Sequence, residues 1–173
     1  MTRTVFVSST FVDLQPHRKV IWGMLRAFDV TVRGMEEFGA RKTPPLQTCL
    51  AEVDLSDIYV GVIAFRQGSI EPKSGKSFTQ LEYERANDLS KDILIYLIDE
   101  ENARVQAKFM DRGEAQDKLE SFKSGPGSLH FIYSRLTIAW IKLHSPTCEG
   151  KQFDPEIFLK GIQHGIFNTV IGG

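Results

Sequence analysis

Residues 57–86 read Asp-Ile-Tyr-Val-Gly-Val-Ile-Ala (57–64), Phe-Arg-Gln-Gly-Ser-Ile-Glu-Pro-Lys-Ser-Gly-Lys (65–76) and Ser-Phe-Thr-Gln-Leu-Glu-Tyr-Glu-Arg-Ala (77–86). The first segment is a nearly unbroken apolar run, as expected of a strand buried on both faces. The last has helical spacing, and a polar, basic, glycine-containing loop joins the two. A strand, a long polar loop and a helix in succession mark the place where an α/β protein keeps a site. At about 100° per residue, Phe78, Leu81, Arg85, Ala86 and Leu89 share one side of the helix, and Glu82 falls in the same stripe. Glu84 points to solvent. A carboxylate on the inward face near a helix start is the oddity that the rest of the chain must explain.

Upstream, residues 3–8 carry the β-branched or aromatic Thr4, Val5, Phe6 and Val7 and predict a first strand, closed by Ser8-Ser9-Thr10-Phe11. A helix is predicted from about Val12, with Leu14, Ile21, Leu25 and Phe28 as its stripe and Pro16 tolerated near its start. Arg18 lies on that stripe, four residues after Leu14, so it should reach the sheet near the strand ends. Residues 29–34 predict a second strand, and residues 35–43 a loop. A second helix opens at Pro44-Pro45 and carries Leu46, Leu50, Val53 and Leu55.

Downstream, the helix from Ser77 to about Ser90 is capped either by Ser77 with Gln80 or by Thr79 with Glu82. Residues 93–99 predict a fourth buried strand. Successive βα units of this kind imply one mainly parallel sheet with helices on both faces and right-handed crossovers. Residues 105–123 predict a partly exposed helix interrupted at Gly113. Strands at 129–133 and 136–143, a fifth parallel strand and an added one, the second of which also scores as helix, and a helix from Asp154-Pro155 complete the expectation. The fold class is a flavodoxin-like three-layer sandwich around a five-stranded sheet, in one domain over residues 1–173, with 125–173 as a divergent extension.

The 173 residues hold 42% hydrophobic and 25% charged side chains, ordinary for one soluble domain with a sizeable core. A net charge of -1 gives no global drive towards nucleic acid or an anionic membrane, so anion binding must be local. Cys49 and Cys148 form no CxxC pair and no disulfide framework, which fits a reducing, cytoplasmic setting. The first residues show no signal-peptide pattern, and no apolar run is long enough to span a membrane. His17, His130, His144 and His164 have no metal-ligand spacing, so no metal is expected.

In an open parallel sheet, ligands bind at the carboxyl ends of the strands, here the loops at 8–11, 35–43, 65–76 and 99–102. Arg41, Lys42, Arg66, Lys73 and Lys76 surround that rim, and the helix start at Ser77 adds free N–H groups, so a phosphate-bearing ligand is the natural candidate. Gly75-Lys76-Ser77 resembles a P-loop ending, but the glycine required five residues earlier is Ile70, and the loop from Gly68 is too long. There is also no GxSxG elbow. Elimination leaves Glu82, whose structural alternative is a capping carboxylate or an ion pair with Arg18 or Arg85.

Three stretches carry a family resemblance: Val-Phe-Val-Ser-Ser-Thr-Phe-Val-Asp-Leu (5–14) with Arg18, Gly-Met-Glu-Glu-Phe-Gly-Ala-Arg (34–41), and residues 56–69 with 77–86. Together they resemble an uncharacterised TIR-like domain family often found at the N-terminus of NACHT, WD-repeat or bacterial conflict-system proteins. The resemblance spans about residues 4–99, and it departs at His17, where a glutamate is expected, and at Gln67, where an aromatic is usual. More distantly, the layout is similar to TIR domains proper. In those that cleave NAD, a glutamate at the start of the helix after the third strand contacts the ribose next to nicotinamide, and Glu82 is the matching position.

By that resemblance Ser8, Ser9 and Phe11 would line a nucleotide pocket, and the 35–42 loop would mediate self-association. The resulting expectation names Glu82 as catalytic and Ser8, Ser9, Thr10, Phe11, Arg18, Glu36, Arg66, Ser77 and Thr79 as substrate-binding. No cofactor is required. A fixed carboxylate would stabilise the oxocarbenium character that builds as nicotinamide leaves NAD. Two other expectations stand beside an NAD glycohydrolase: a non-catalytic module that senses a nucleotide or self-associates within a larger multidomain protein, and a nucleoside or deoxyribosyl transferase.

Overall fold

A computed structural model of the chain describes residues 2–26, 30–37, 45–98 and 106–124. Four strands, β1 (Arg3–Ser9), β2 (Val30–Arg33), β3 (Ile58–Ile63) and β4 (Asp92–Leu97), form one parallel sheet in the order β2-β1-β3-β4. The chain winds outward from β1 to β2 through α1 (Gln15–Leu25). It then returns across β1 through α2 (Pro45–Asp54) to β3, and reaches β4 through α3 (Phe78–Asp88). α4 (Glu114–Ser124) follows a short 3-10 turn at Ala107–Phe109. The order reverses at the junction of β1 and β3, where an open α/β sheet leaves a crevice at its carboxyl end. The expected strands at 129–133 and 136–143 and the helix from 154 lie outside the described residues, so the sheet described has four strands where five were expected.

Side-chain alternation along each strand divides the core in two. Val5, Val7, Val60, Val62, Leu94 and Tyr96 pack against Leu14, Ile21, Trp22 and Leu25 of the α1 side. Phe6, Tyr59, Ile63 and Ile95 pack on the other face against Cys49 and Val53 of α2, Tyr83 and Ala86 of α3, and Leu119 and Phe122 of α4. Helices therefore cover both faces, as the continuous apolar runs required. An aromatic chain crosses the second layer, with ring centroids 6.2 Å apart for Phe6 and Tyr59, 6.3 Å for Tyr59 and Tyr83, and 5.8 Å for Tyr83 and Phe122.

Two helical stripes differ from expectation. On α3 the buried residues are Glu82, Tyr83 and Ala86, while Leu89 is exposed and Arg85 forms a surface ion pair with Asp54 at 2.7 Å. The inward face is thus turned by about one residue, ~100°, because Tyr83 fits between Tyr59 and Phe122. After α2, Leu55 is 66% exposed, and the buried residues of that helix are Thr48, Cys49, Glu52 and Val53.

Gly61 is the small residue in the middle of β3, opposite Ser8 of β1 and Ile95 of β4. A Cβ there would lie 2.7 Å from Ile95 Cδ1 and 3.0 Å from Tyr59 Cε1, so glycine makes room for the Tyr59 ring. Ile95 can move its terminal methyl, but the ring is fixed by Phe6 and Tyr83. Gly61→Ala is expected to cost about 1–3 kcal/mol through overpacking. It should be read as a lower urea midpoint at unchanged m-value; a midpoint equal to that of the parent would contradict the packing account.

Candidate functional site

Because β-strand side chains alternate, the adjacent residues Ser8 and Ser9 at the carboxyl end of β1 serve opposite faces of the sheet. Ser8 points to the α2–α3 layer and Ser9 to the α1 layer. Ser8 Oγ donates a short hydrogen bond to Glu82 Oε2. Glu82 also accepts from the Cys49 thiol of α2. Tyr59, fully buried, neighbours the same carboxyl group, and its hydroxyl donates to Thr79 O at 3.3 Å. The carboxyl group is 5% exposed as a residue, enclosed by one group from each of β1, β3 and α2. α3 delivers it because Ser77 caps the helix, its Oγ accepting from Gln80 N at 3.1 Å, which starts the helix at Phe78, four residues before Glu82.

Glu82 is therefore neither a helix-capping group nor a partner in a direct ion pair among the described residues. Burial raises its pKa above the ordinary 4.5, and the hydrogen bonds from Ser8 and Cys49 and the charge of Arg18 offset this in part. Burial first, and then the neighbouring Glu82, push the Cys49 thiol far up, so it is a donor and not a nucleophile.

Unfolded Glu82 loses its proton near 4.5, whereas the folded group holds it to higher pH, so between those values the unfolded state binds fewer protons. Stability falls as pH rises through that window. Glu82→Gln, which keeps the shape of the neutral carboxyl, should remove this decline. Unfolding midpoints from about pH 4 to about pH 8 measure it, and parallel slopes in both proteins would contradict the assignment.

On the other face, Arg18 is 1% exposed. Its guanidinium donates to Ser9 Oγ at 2.7 Å and to Val7 O at 3.3 Å, and it grips Glu36 in a fork at 2.6 and 2.7 Å. Glu36 lies on the 3-10 turn Met35–Glu37 that follows β2. Gly34 lets that turn approach, because a Cβ there would sit 3.1 Å from Arg18 Nη2, Glu36 Oε2 and Trp22. The stripe position of Arg18 was readable in sequence; its partner Glu36 is supplied by a neighbouring strand's loop.

Thr10, Arg66, Ser77 and Thr79, all expected in the site, line a single small cleft at the junction of β1 and β3, together with Gln67 and an apolar wall of Val62, Ile63, Leu119 and Phe122. Thr79 precedes Glu82 by nearly one helical turn, so the cleft adjoins the Glu82 network without containing its carboxyl group. Phe11 stands apart, 40% exposed. Arg41 and Lys42 lie outside the described residues. Lys76 is engaged by Glu84 at 2.8 Å, and the loop closes on itself through an Ile70–Ser77 bridge, so Gly75-Lys76-Ser77 forms no phosphate cradle. Among the described residues no cluster of three or more metal-ligating side chains occurs, and no helix is long and apolar enough to cross a membrane.

Sequence reasoning missed Cys49, Tyr59, Gln67 and the α4 wall. Only Tyr59 had a local signal, since strand alternation places it on the face of Ser8.

No curated protein matches the chain. Among solved structures, a 2-desoxiribosyltransferase from Leishmania mexicana aligns over 82% of this chain and 98% of its own, at 17% identity and a TM-score of 0.42, too slight a likeness to bear on activity. The family described as a domain of unknown function, DUF4062, matches residues 4–134. That match takes in well over half of the sequence, and the chain belongs to the DUF4062 family.

Proposed function

We propose that this is a TIR-like, flavodoxin-like domain that binds a nucleotide in the β1–β3 cleft and cleaves the N-glycosidic bond of NAD, with Glu82 as the catalytic carboxylate. One observation carries the reading: a buried carboxyl group, held by Ser8 and Cys49 at the carboxyl ends of the strands, adjoins a cleft lined by hydroxyls and one arginine. Ionised, Glu82 would stabilise positive charge at the ribose while the nicotinamide leaves with the bond electrons; water then adds to the sugar. Ser77 and Thr79 supply hydroxyls for the sugar, and Arg66 faces phosphate. A transferase would share the first step and differ in its acceptor.

Glu82 is enclosed at 5% exposure, and this favours a second reading, a signalling module that binds a nucleotide without turning it over. The 35–42 loop would then mediate self-association, within a larger multidomain defence or signalling protein of the cytoplasm. Concentrated protein incubated with NAD separates the two: released nicotinamide supports the enzyme, whereas a ligand-induced thermal shift without release supports the module. Neither response would leave the nucleotide reading without support.

A further inference from the structure

Arg66 is the single charged side chain lining the cleft among the described residues, and it is loosely held. Its Nε lies 3.7 Å from Asp111 Oδ1, beyond hydrogen-bonding reach, whereas the ion pairs of Arg33 and Arg85 close to 2.6 and 2.7 Å. The other Asp111 oxygen accepts the Gln67 backbone N–H at 2.6 Å, and Asp111 N–H donates to Phe65 O at 3.0 Å. One carboxylate thus faces a guanidinium and a backbone amide that converge from the loop after β3. That pairing of donors is the one by which proteins recognise phosphate. In the same cleft the Thr10 hydroxyl is buried without a hydrogen-bond partner, although a buried hydroxyl normally has one.

We infer that Arg66, the Gln67 N–H and the Thr10 hydroxyl form a phosphate subsite of the cleft, which Asp111 fills as an internal stand-in for the ligand's anion. This deepens the nucleotide-binding reading and rests on it for the identity of the full ligand, but the subsite stands on its own geometry. A phosphate brings more charge and more acceptor atoms than the carboxylate, so it completes the contacts of Arg66 and satisfies Thr10. Its entry displaces the Asp111 carboxylate, while the backbone bond from Asp111 N–H to Phe65 O still ties the segment before α4 to the loop after β3. Asp111 is accordingly a positioning and inhibitory residue; it makes no contact with reacting atoms.

The test uses inorganic pyrophosphate and adenosine as separate probes on the full chain. Asp111→Asn retains an acceptor for the Gln67 N–H but removes the competing charge. Pyrophosphate should bind this variant about two- to fivefold more tightly than the parent, the range expected for one partly exposed ion pair. Adding Arg66→Gln should cancel the gain. In NMR titrations, the Arg66 Nε–H and Gln67 N–H signals should shift with pyrophosphate and not with adenosine. Arg66→Gln alone should weaken pyrophosphate binding, a check that does not depend on the folding of the Asp111 variant. No gain on Asp111→Asn, a gain that persists without Arg66, or no pyrophosphate binding to any of the proteins would overturn the subsite. Adenosine or NAD binding without an Arg66-dependent pyrophosphate effect leaves the nucleotide reading standing and removes the subsite; the converse result retains the subsite and removes the nucleotide reading.

Discussion

Removing the Glu36 carboxylate is expected to destabilise the domain more than removing the guanidinium it binds. The two ends of this pair differ in their access to water: the Arg18 side chain is 2% exposed and that of Glu36 30%. After Glu36→Ala, the Arg18 charge stays buried with only neutral acceptors, Ser9 Oγ and Val7 O, in direct contact. An uncompensated buried charge costs about 3 kcal/mol or more. After Arg18→Met, an apolar chain of similar length fills the same space and Glu36 turns to solvent, so the loss is that of the hydrogen bonds, about 1–2 kcal/mol. The double variant should then be no less stable than Arg18→Met alone. A urea-denaturation cycle over the four proteins measures the asymmetry, and equal or reversed costs would refute the burial argument.

The Glu36 variant should also alter the other face of the sheet. The Arg18 charge already acts to lower the Glu82 pKa against the effect of burial. Without Glu36 the Arg18 charge acts on Glu82 uncompensated by that carboxylate, and the pH window over which wild-type stability declines should narrow. Adjacent serines on one strand thus link the loop after β2 to the buried carboxyl group.

What sequence disclosed here follows from the range of each interaction. Strand and helix periodicities are local, and they placed β1, β3, β4 and α3, turned Glu82 inward and brought Arg18 to the strand ends. The face of α3 was misjudged by one position because Leu81 and Leu89 count as apolar wherever they stand, while Tyr83 is buried only by virtue of Tyr59 and Phe122. Cys49 and Tyr59 meet Glu82 across separate elements, and nothing local in residue 49 announces a hydrogen bond to residue 82. Charge was the least legible property. Arg66 and Lys76 read as a free basic rim, yet in the fold they face Asp111 and Glu84.

Glu82→Gln is expected to reduce nicotinamide release from NAD by at least ~100-fold, the loss typical when a preorganised electrostatic group is removed. Glu84→Gln should leave the rate unchanged, because Glu84 pairs with Lys76 at the surface, two residues away on another side of the helix. Only ionised Glu82 can stabilise a ribosyl cation, so the rate should rise with pH through the raised folded pKa, the direction in which stability falls. Ser8→Ala removes a donor that favours the ionised form and should move the rate profile to still higher pH. High-performance liquid chromatography of nicotinamide across the pH series measures both. Undiminished release by Glu82→Gln, or an equal loss with Glu84→Gln, would remove Glu82 from the chemistry. The opposition between the two responses makes the assignment specific: above the ordinary carboxyl pKa, Glu82→Gln should be the more stable protein and the inactive one. A carboxylate that serves only the fold would show no such trade, because losing it would leave activity intact.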